Sequence, residues 1–377
     1  MNTPEYRHLL RPITVPTADP TRILPHLVAA ISGEETLLPL PPDPEQAQAL
    51  ATALRVGQPI APEIALVVAT SGSTGTPKGA LLTPHNLVSS ADATHQALGG
   101  EGQWLLALPG HHIAGIQVLV RALVAGVEPL ALDVAKGFDV HRFASLAHQL
   151  ADLGDRTYTS LVPLQLLKAM ETLAGIEALR RFDAILVGGA PTTAKTKRQC
   201  EELGIRIVTT YGSSETAGGC VYDGRPIPGA KVRVSNGRVF LSGPMVAAGY
   251  RNHVPNVFVD GWYATQDSGV IADGKLQVTG RIDAVIDSGG LKLHPEVLEQ
   301  AILSLDGVDM ACVVGIPHPR LGQAIAAVYS GSRTPDQVVE GLEDLPRWQL
   351  PKHILQVTAL PLAGPGKIDR RAVAKMF

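Results

Sequence analysis

Thr70-Ser71-Gly72-Ser73-Thr74-Gly75-Thr76-Pro77-Lys78-Gly79 follows directly on an apolar run over residues 64–69. A short apolar run ending in small residues reads as a buried strand that feeds a loop. Glycines let such a loop turn its N–H groups toward an anion, hydroxyls add donors and Lys78 adds positive charge, so the segment describes a phosphate cradle. It is not a P-loop, which needs glycine before the lysine and Ser or Thr after it; here Pro77 precedes Lys78 and Gly79 follows it. No GxGxxG dinucleotide fingerprint lies in this loop. The bland alternative is a flexible surface turn, and the strand leading into the loop argues against it.

Outward from the loop, Thr83-Pro84 opens a helical pattern, with threonine suited to the cap and proline to the first turn. Short apolar or β-branched runs follow at residues 104–108, 128–132, 157–162, 185–187 and 205–210. Helical patterns such as residues 116–124 and 163–174 lie between them. This alternation predicts an α/β fold with a parallel sheet and helices on both its faces. Before the loop, residues 1–60 read as helices and loops. From about residue 225 to 280 short strands separated by Gly, Asn and Asp predict antiparallel pairing in a small β-barrel-like part. After Gly280-Arg281-Ile282-Asp283 the pattern runs strand, helix (295–305), two strands, helix, strand and a short terminal helix, an α+β domain. We therefore expect a large N-terminal domain of parallel-sheet α/β subdomains over residues 1–283, and a small C-terminal domain over residues 284–377.

A chain of 377 residues exceeds what one core usually organises, and 45% apolar with 18% charged residues suits a soluble globular protein. The net charge of −3, with no basic stripe, argues against nucleic acid as a partner. No stretch reaches ~18 uninterrupted apolar residues and the N-terminus shows no signal-peptide core, so stable membrane insertion is not expected and a cytoplasmic location is. Cys200, Cys220 and Cys312 lack zinc-ligand spacing and read as thiols in a reducing compartment.

The loop matches every position of [ST]SG[ST]TGxPKG, the signature of the adenylate-forming superfamily of acyl-CoA synthetases, peptide-synthetase adenylation domains and luciferases, which the chain resembles from residue 64 onward. The resemblance implies that Thr70, Ser71, Gly72, Ser73, Thr74, Gly75 and Lys78 bind ATP phosphates. Further segments resemble the family's motifs in the family's order. Gly188-Gly189-Ala190-Pro191 is similar to the stretch that packs on adenine. Tyr211-Gly212-Ser213-Ser214-Glu215 is similar to YGxTE, which implies Tyr211 and Gly212 beside the nucleotide, Ser214 at the α-phosphate and Glu215 holding Mg²⁺. Tyr263-Ala264-Thr265-Gln266-Asp267 is similar to YxTGD, whose aspartate grips the ribose, with Gln266 in place of glycine. Gly280-Arg281-Ile282-Asp283 resembles GRxD, implying Arg281 at the ribose and Asp283 as hinge. Gly364-Pro365-Gly366-Lys367-Ile368 resembles xGK[IV], whose lysine bridges carboxylate and α-phosphate. Gly289 and Gly290 would line the path of the coenzyme A thiol. The front of the chain is shorter than in relatives.

The chemistry implied is attack of a carboxylate on the α-phosphorus of ATP, then transfer of the acyl group to coenzyme A. Two anions must meet, so positive charge and aimed donors are needed. The expected partners are a small carboxylic acid, ATP, Mg²⁺ and coenzyme A, and a homodimer is compatible with them. For the acid, His111-His112-Ile113-Ala114-Gly115 resembles [FH]HxxG beside the acyl pocket, with His112 at its gate. Residues 157–166 (TYTSLVPLQL, including Ser160), the Tyr-Ala-Thr-x-Asp variant and Arg121 resemble the o-succinylbenzoate–CoA ligases of menaquinone synthesis. One arginine in an apolar helix suits a dicarboxylate whose second charge needs a partner. A ligase for another aryl or acyl acid, a carrier-protein-charging enzyme and a silent nucleotide-binding relative stay open. The absence of a carrier segment after Phe377 weighs against the second, and the presence of Lys78, Glu215 and Lys367 against the third.

Overall fold

The structure, a computed structural model, describes residues 8–70, 77–252, 254–362 and 367–377. The chain forms two compact units. One comprises residues 1–189, 199–233 and 240–264; the other comprises residues 190–198, 234–239 and 265–377. Three of the five bounds fall inside the strands Lys231–Ser235, Arg238–Ser242 and Trp262–Ala272, all in the section expected to be antiparallel, and one falls inside the helix Ala194–Glu202.

The first unit contains two sheets. In one, Leu10–Thr14, Thr36–Leu40 and Leu66–Thr70 run parallel, and Lys78–Leu82 and then Gly249–Tyr250 add antiparallel neighbours. The strands Leu10–Thr14 and Thr36–Leu40 depart from the expectation of helices and loops over residues 1–60. Thr36–Leu40 is buried at every position, so it shows no period-2 alternation, and Pro39 within it reads against a central strand. The helices Leu24–Ile31 and Pro44–Ala53 do lie in that region.

The other sheet has seven strands in the order Arg225–Pro226, Gly218–Tyr222, Ile207–Ser213, Ala184–Val187, Thr157–Leu161, Gln103–Leu106 and Leu130–Ala131. From Ile207–Ser213 to Leu130–Ala131 all neighbours are parallel, as the strand–helix alternation predicts. The core on one face stacks Phe138, Phe143 and Phe182 with the apolar residues of these strands. The helix Pro84–Leu98 begins as its sequence demands: Thr83 Oγ1 accepts from Asn86 N, and Asn86 Oδ1 accepts from Thr83 N. The single helix expected over residues 163–174 is two, Pro163–Met170 and Leu173–Leu179, because Thr172 caps the second with its hydroxyl.

In the second unit, residues 267–272 pair antiparallel with residues 275–281. A further sheet has the order Leu291–Leu293, Ile286–Ser288, Gly322–Gly331 and Val308–His318, with His353–Val357 parallel to Gly322–Gly331. Its long strands bury alternate residues on opposite faces. Ala311 and Val313 pack with Leu298 and Ile302 of the helix Pro295–Ser304, whereas Cys312 and Val314 pack with Val373 of the helix Arg370–Ala374. All three cysteines are free and buried, and burial pushes the Cys220 and Cys312 thiols up to about 12. Among the described residues no helix is long and apolar enough to cross a membrane.

Candidate active site

The parallel strands of the seven-stranded sheet end together, and ligands of open α/β sheets bind beyond such carboxyl ends. Leu106 lies opposite Ser160, Ser160 opposite Leu186, and Val187 opposite Thr209. The segments that continue these strands therefore emerge side by side: His111 and His112, Ser160 itself, Gly188 and Gly189, and Tyr211 with Gly212. Two of these glycines are sterically required. A Cβ on Gly188 would meet Thr210 Oγ1, and one on Gly212 would run into the backbone of Gly218 and Gly219.

Ser214 and Glu215 sit in the 3-10 turn Ser214–Thr216, which ends at Ala217 in the left-handed region. The turn is held by Ser213 N donating to Thr216 Oγ1 at 2.9 Å and by Thr216 Oγ1 donating to Gly218 O at 2.7 Å. Glu215 is buried. Tyr250 Oη donates to its Oε1 at 2.6 Å, and Lys78 Nζ lies 5.5 Å from the centre of the Tyr250 ring. Burial and the Glu215 charge push the Tyr250 phenol up, so it stays a donor. Thr70 pairs with Lys78, which sets the two ends of the glycine-rich loop side by side. Residues 71–76, which include Ser71, Gly72, Ser73, Thr74 and Gly75, lie outside the described residues. Tyr250 thus joins the lysine of the first motif to the glutamate of the second. Sequence reading passed over it; the tyrosine beside Gly249 was its one local signal.

Glu215 is a single buried carboxylate, and among the described residues no group of three His, Cys, Asp or Glu could hold a metal. That donor set fits Mg²⁺, which takes few protein carboxylates and completes its shell with substrate phosphates and water.

His112 is the N-cap residue of the helix Ile113–Val124, and its ring lies 4.2 Å from that of His111. Burial, and then the neighbouring His112, hold His111 down at about 3, so it is neutral at pH 7. Arg121, two turns along this helix, is 3% exposed. Its guanidinium lies 5.1 Å from the Trp104 ring centre, and its Nε has no hydrogen-bond partner. No ion pair among the described residues involves it. Burial lowers its pKa, opposed by Tyr222. Trp104 Nε1 in turn donates to His95 Nε2 at 3.3 Å. Burial, and then the Arg121 charge, hold His95 at about 4. A buried guanidinium without a carboxylate is costly to keep, and the arrangement suits an anion supplied from outside the chain.

In the second unit Asp267 and Arg281 face each other in register, with Arg281 Nη1 3.5 Å from Asp267 Oδ1. Arg281 also grips Asp283 with Nε at 2.9 Å and Nη2 at 2.8 Å. Asp267 N donates to Thr265 Oγ1 at 3.0 Å, so the backbone beside Gln266 is held without the family's glycine. Gly289 and Gly290, both in the left-handed region, make the turn between Ile286–Ser288 and Leu291–Leu293. Ala190 opens the short piece, residues 190–198, that belongs to this unit. Lys367 is exposed; Gly364, Pro365 and Gly366 before it lie outside the described residues. A recess of about 480 Å³ shares none of these residues: Arg251 lines it but spends its donors on the carbonyls of Leu54, Pro59, Arg55 and Gln58.

The AMP-binding enzyme family matches residues 15–251, and the AMP-binding enzyme C-terminal domain matches residues 297–367. The probable 2-succinylbenzoate–CoA ligase of Mycobacterium tuberculosis is 42% identical over 98% of both chains. Among solved structures, an Escherichia coli MenE variant with bound OSB-AMS is 25% identical, with a TM-score of 0.78 over 99% of this chain and 88% of that one. ATP-bound MatB from Rhodopseudomonas palustris, 23% identical, reaches a TM-score of 0.75 over 97% of this chain and 79% of that one.

Proposed function

The chain belongs to the AMP-binding enzyme family, and on that premise we propose that it is a 2-succinylbenzoate–CoA ligase of menaquinone synthesis. The observation that carries this is the 42% identity, over 98% of each chain, to a probable 2-succinylbenzoate–CoA ligase. Fold likeness does not choose the acid, since MatB and MenE superpose almost equally well.

A carboxylate oxygen of the acid attacks the α-phosphorus of ATP and pyrophosphate leaves, giving an acyl-adenylate. The coenzyme A thiolate then attacks the adenylate carbonyl and AMP leaves. In this reading Thr70, Ser71, Gly72, Ser73, Thr74, Gly75 and Lys78 hold the phosphates, and Ser214 meets the α-phosphate. Gly188, Gly189, Ala190, Tyr211 and Gly212 frame the adenine, while Asp267 and Arg281 hold the ribose. Glu215 would hold Mg²⁺, which when bound neutralises phosphate charge. Lys367 brings positive charge to the meeting carboxylate and α-phosphate. We take Asp283 as the hinge between residues 1–283 and 284–377, with Gly289 and Gly290 beside the incoming thiol. His112 gates the acid pocket, Ser160 lines it and Arg121 takes the second carboxylate. The partnerless Nε of the buried Arg121 supports that last role.

The test is coenzyme A-dependent release of AMP from ATP across a panel of acids. Selective turnover of 2-succinylbenzoate is expected. Turnover of another acid would keep the mechanism and reject the substrate, and acyl transfer only to a carrier protein would reject coenzyme A.

A further inference from the structure

A buried ion cluster in the second unit lies three residues beyond Lys367, and the roles assigned above leave it unused. Leu362 and Ile368 form an isolated bridge around the Lys367 segment, and Asp369 N donates to Pro361 O at 2.8 Å. Asp369 then caps the helix Arg370–Ala374, its carboxylate accepting from Arg371 N and Ala372 N at 3.0 Å. Three residues span at most about 10 Å of chain, so whatever fixes Arg370 also confines Lys367.

Arg370 is fixed from several directions. Its Nη1 donates to Glu299 Oε1 at 2.6 Å and its Nη2 to Glu299 Oε2 at 2.8 Å, a two-pronged pair. Nη1 also donates to Val313 O at 2.8 Å, while Val313 N donates to Glu299 Oε1 at 2.7 Å. Glu299 is 8% exposed. One turn earlier on the same helix, Glu296 lies 3.6 Å from Arg370 and accepts from Arg281 N at 3.3 Å. Burial opposes the charges on both Arg370 and Glu299, so the pair persists on its geometry. A buried pair of this kind often adds little net stability over apolar residues of similar size. What it does add is direction, which apolar packing does not.

We propose that Arg370 and Glu299 are positioning residues for Lys367, and that Glu296 links them to the backbone of Arg281 beside the hinge. The proposal rests on the reading of Lys367 as an adenylation group. It predicts that loss of the pair harms adenylation and spares thioester formation, a split that general destabilisation does not produce.

The experiment compares wild type, Lys367→Ala and the double variant Arg370→Met with Glu299→Met, which strands neither charge. Adenylation is read as acid-dependent exchange of pyrophosphate into ATP, and the second step as coenzyme A-dependent consumption of pre-made acyl-adenylate. The double variant should lose roughly 10²-fold in exchange, as a positioning error of about 1 Å would cause, with the KM for ATP and the second step unchanged. Wild-type exchange, or equal loss in both steps, overturns the proposal. If Lys367→Ala keeps full exchange, the premise itself fails and the proposal with it. Should the double variant not fold, Arg370→Lys keeps the charge on Glu299 but not the fork. It should lose exchange selectively, and equal rates with wild type in both steps would refute the assignment.

Discussion

Replacing Arg121 by methionine separates a ligand-binding role from a packing role, because the two predict opposite signs. The guanidinium is buried, has no carboxylate among the described residues and keeps an orphan Nε. Burying a charge of this kind costs several kcal/mol. Its contact with Trp104, 5.1 Å to the ring centre, returns about 2 kcal/mol. Methionine of similar reach removes both terms and keeps much of the apolar packing. The difference leaves the variant as stable as wild type or about 1–2 kcal/mol more stable, worth roughly 2–4 °C in melting midpoint per kcal/mol. If Arg121 pairs with the second carboxylate of the acid, removing it costs about 2–5 kcal/mol of binding to that group. At about 1.4 kcal/mol per factor of ten, kcat/KM for 2-succinylbenzoate falls roughly 30- to 4,000-fold. The KM for ATP and turnover of acids with a single carboxylate should not follow. Thermal unfolding and steady-state kinetics on one preparation read both effects. A lower melting midpoint with unchanged kcat/KM would refute the reasoning and make Arg121 a structural partner of Trp104.

Tyr250→Phe removes the donor to Glu215 Oε1; a hydrogen bond to a charged group is worth about 1.5–3 kcal/mol, and the variant should unfold at lower urea and need more Mg²⁺ for pyrophosphate exchange. Unchanged Mg²⁺ dependence would detach Tyr250 from the work of Glu215. His95 gives a pH signature: folding holds it at about 4, below the ordinary 6.5, so between these values the unfolded chain binds more protons and stability falls as the pH drops. The loss should approach about 3 kcal/mol by pH 4, read as urea unfolding against pH. His95→Gln, which keeps an acceptor for Trp104 Nε1, should flatten that slope, and an unaltered slope would assign it to other groups.

The order of the motifs, the strand before the glycine-rich loop, the capped helix at Thr83 and the parallel run of strands were all legible in the chain. Each is set by neighbours a few residues apart: a run of apolar residues, a hydroxyl before a proline, a glycine where a backbone must pass. Thr36–Leu40 shows where that reading stops, since a strand buried at every position has no alternation to display. Beyond it, contacts within each unit join residues far apart in the chain. Glu215 meets Tyr250 across 35 positions, and Glu299 meets Arg370 across 71. His95, Trp104 and Arg121 come from two helices and a strand. No periodicity records such a meeting, because it is created only when sheets and helices pack. Local sequence therefore points to the chemistry, and packing within each unit decides which phenol, which guanidinium and which ion pair come together.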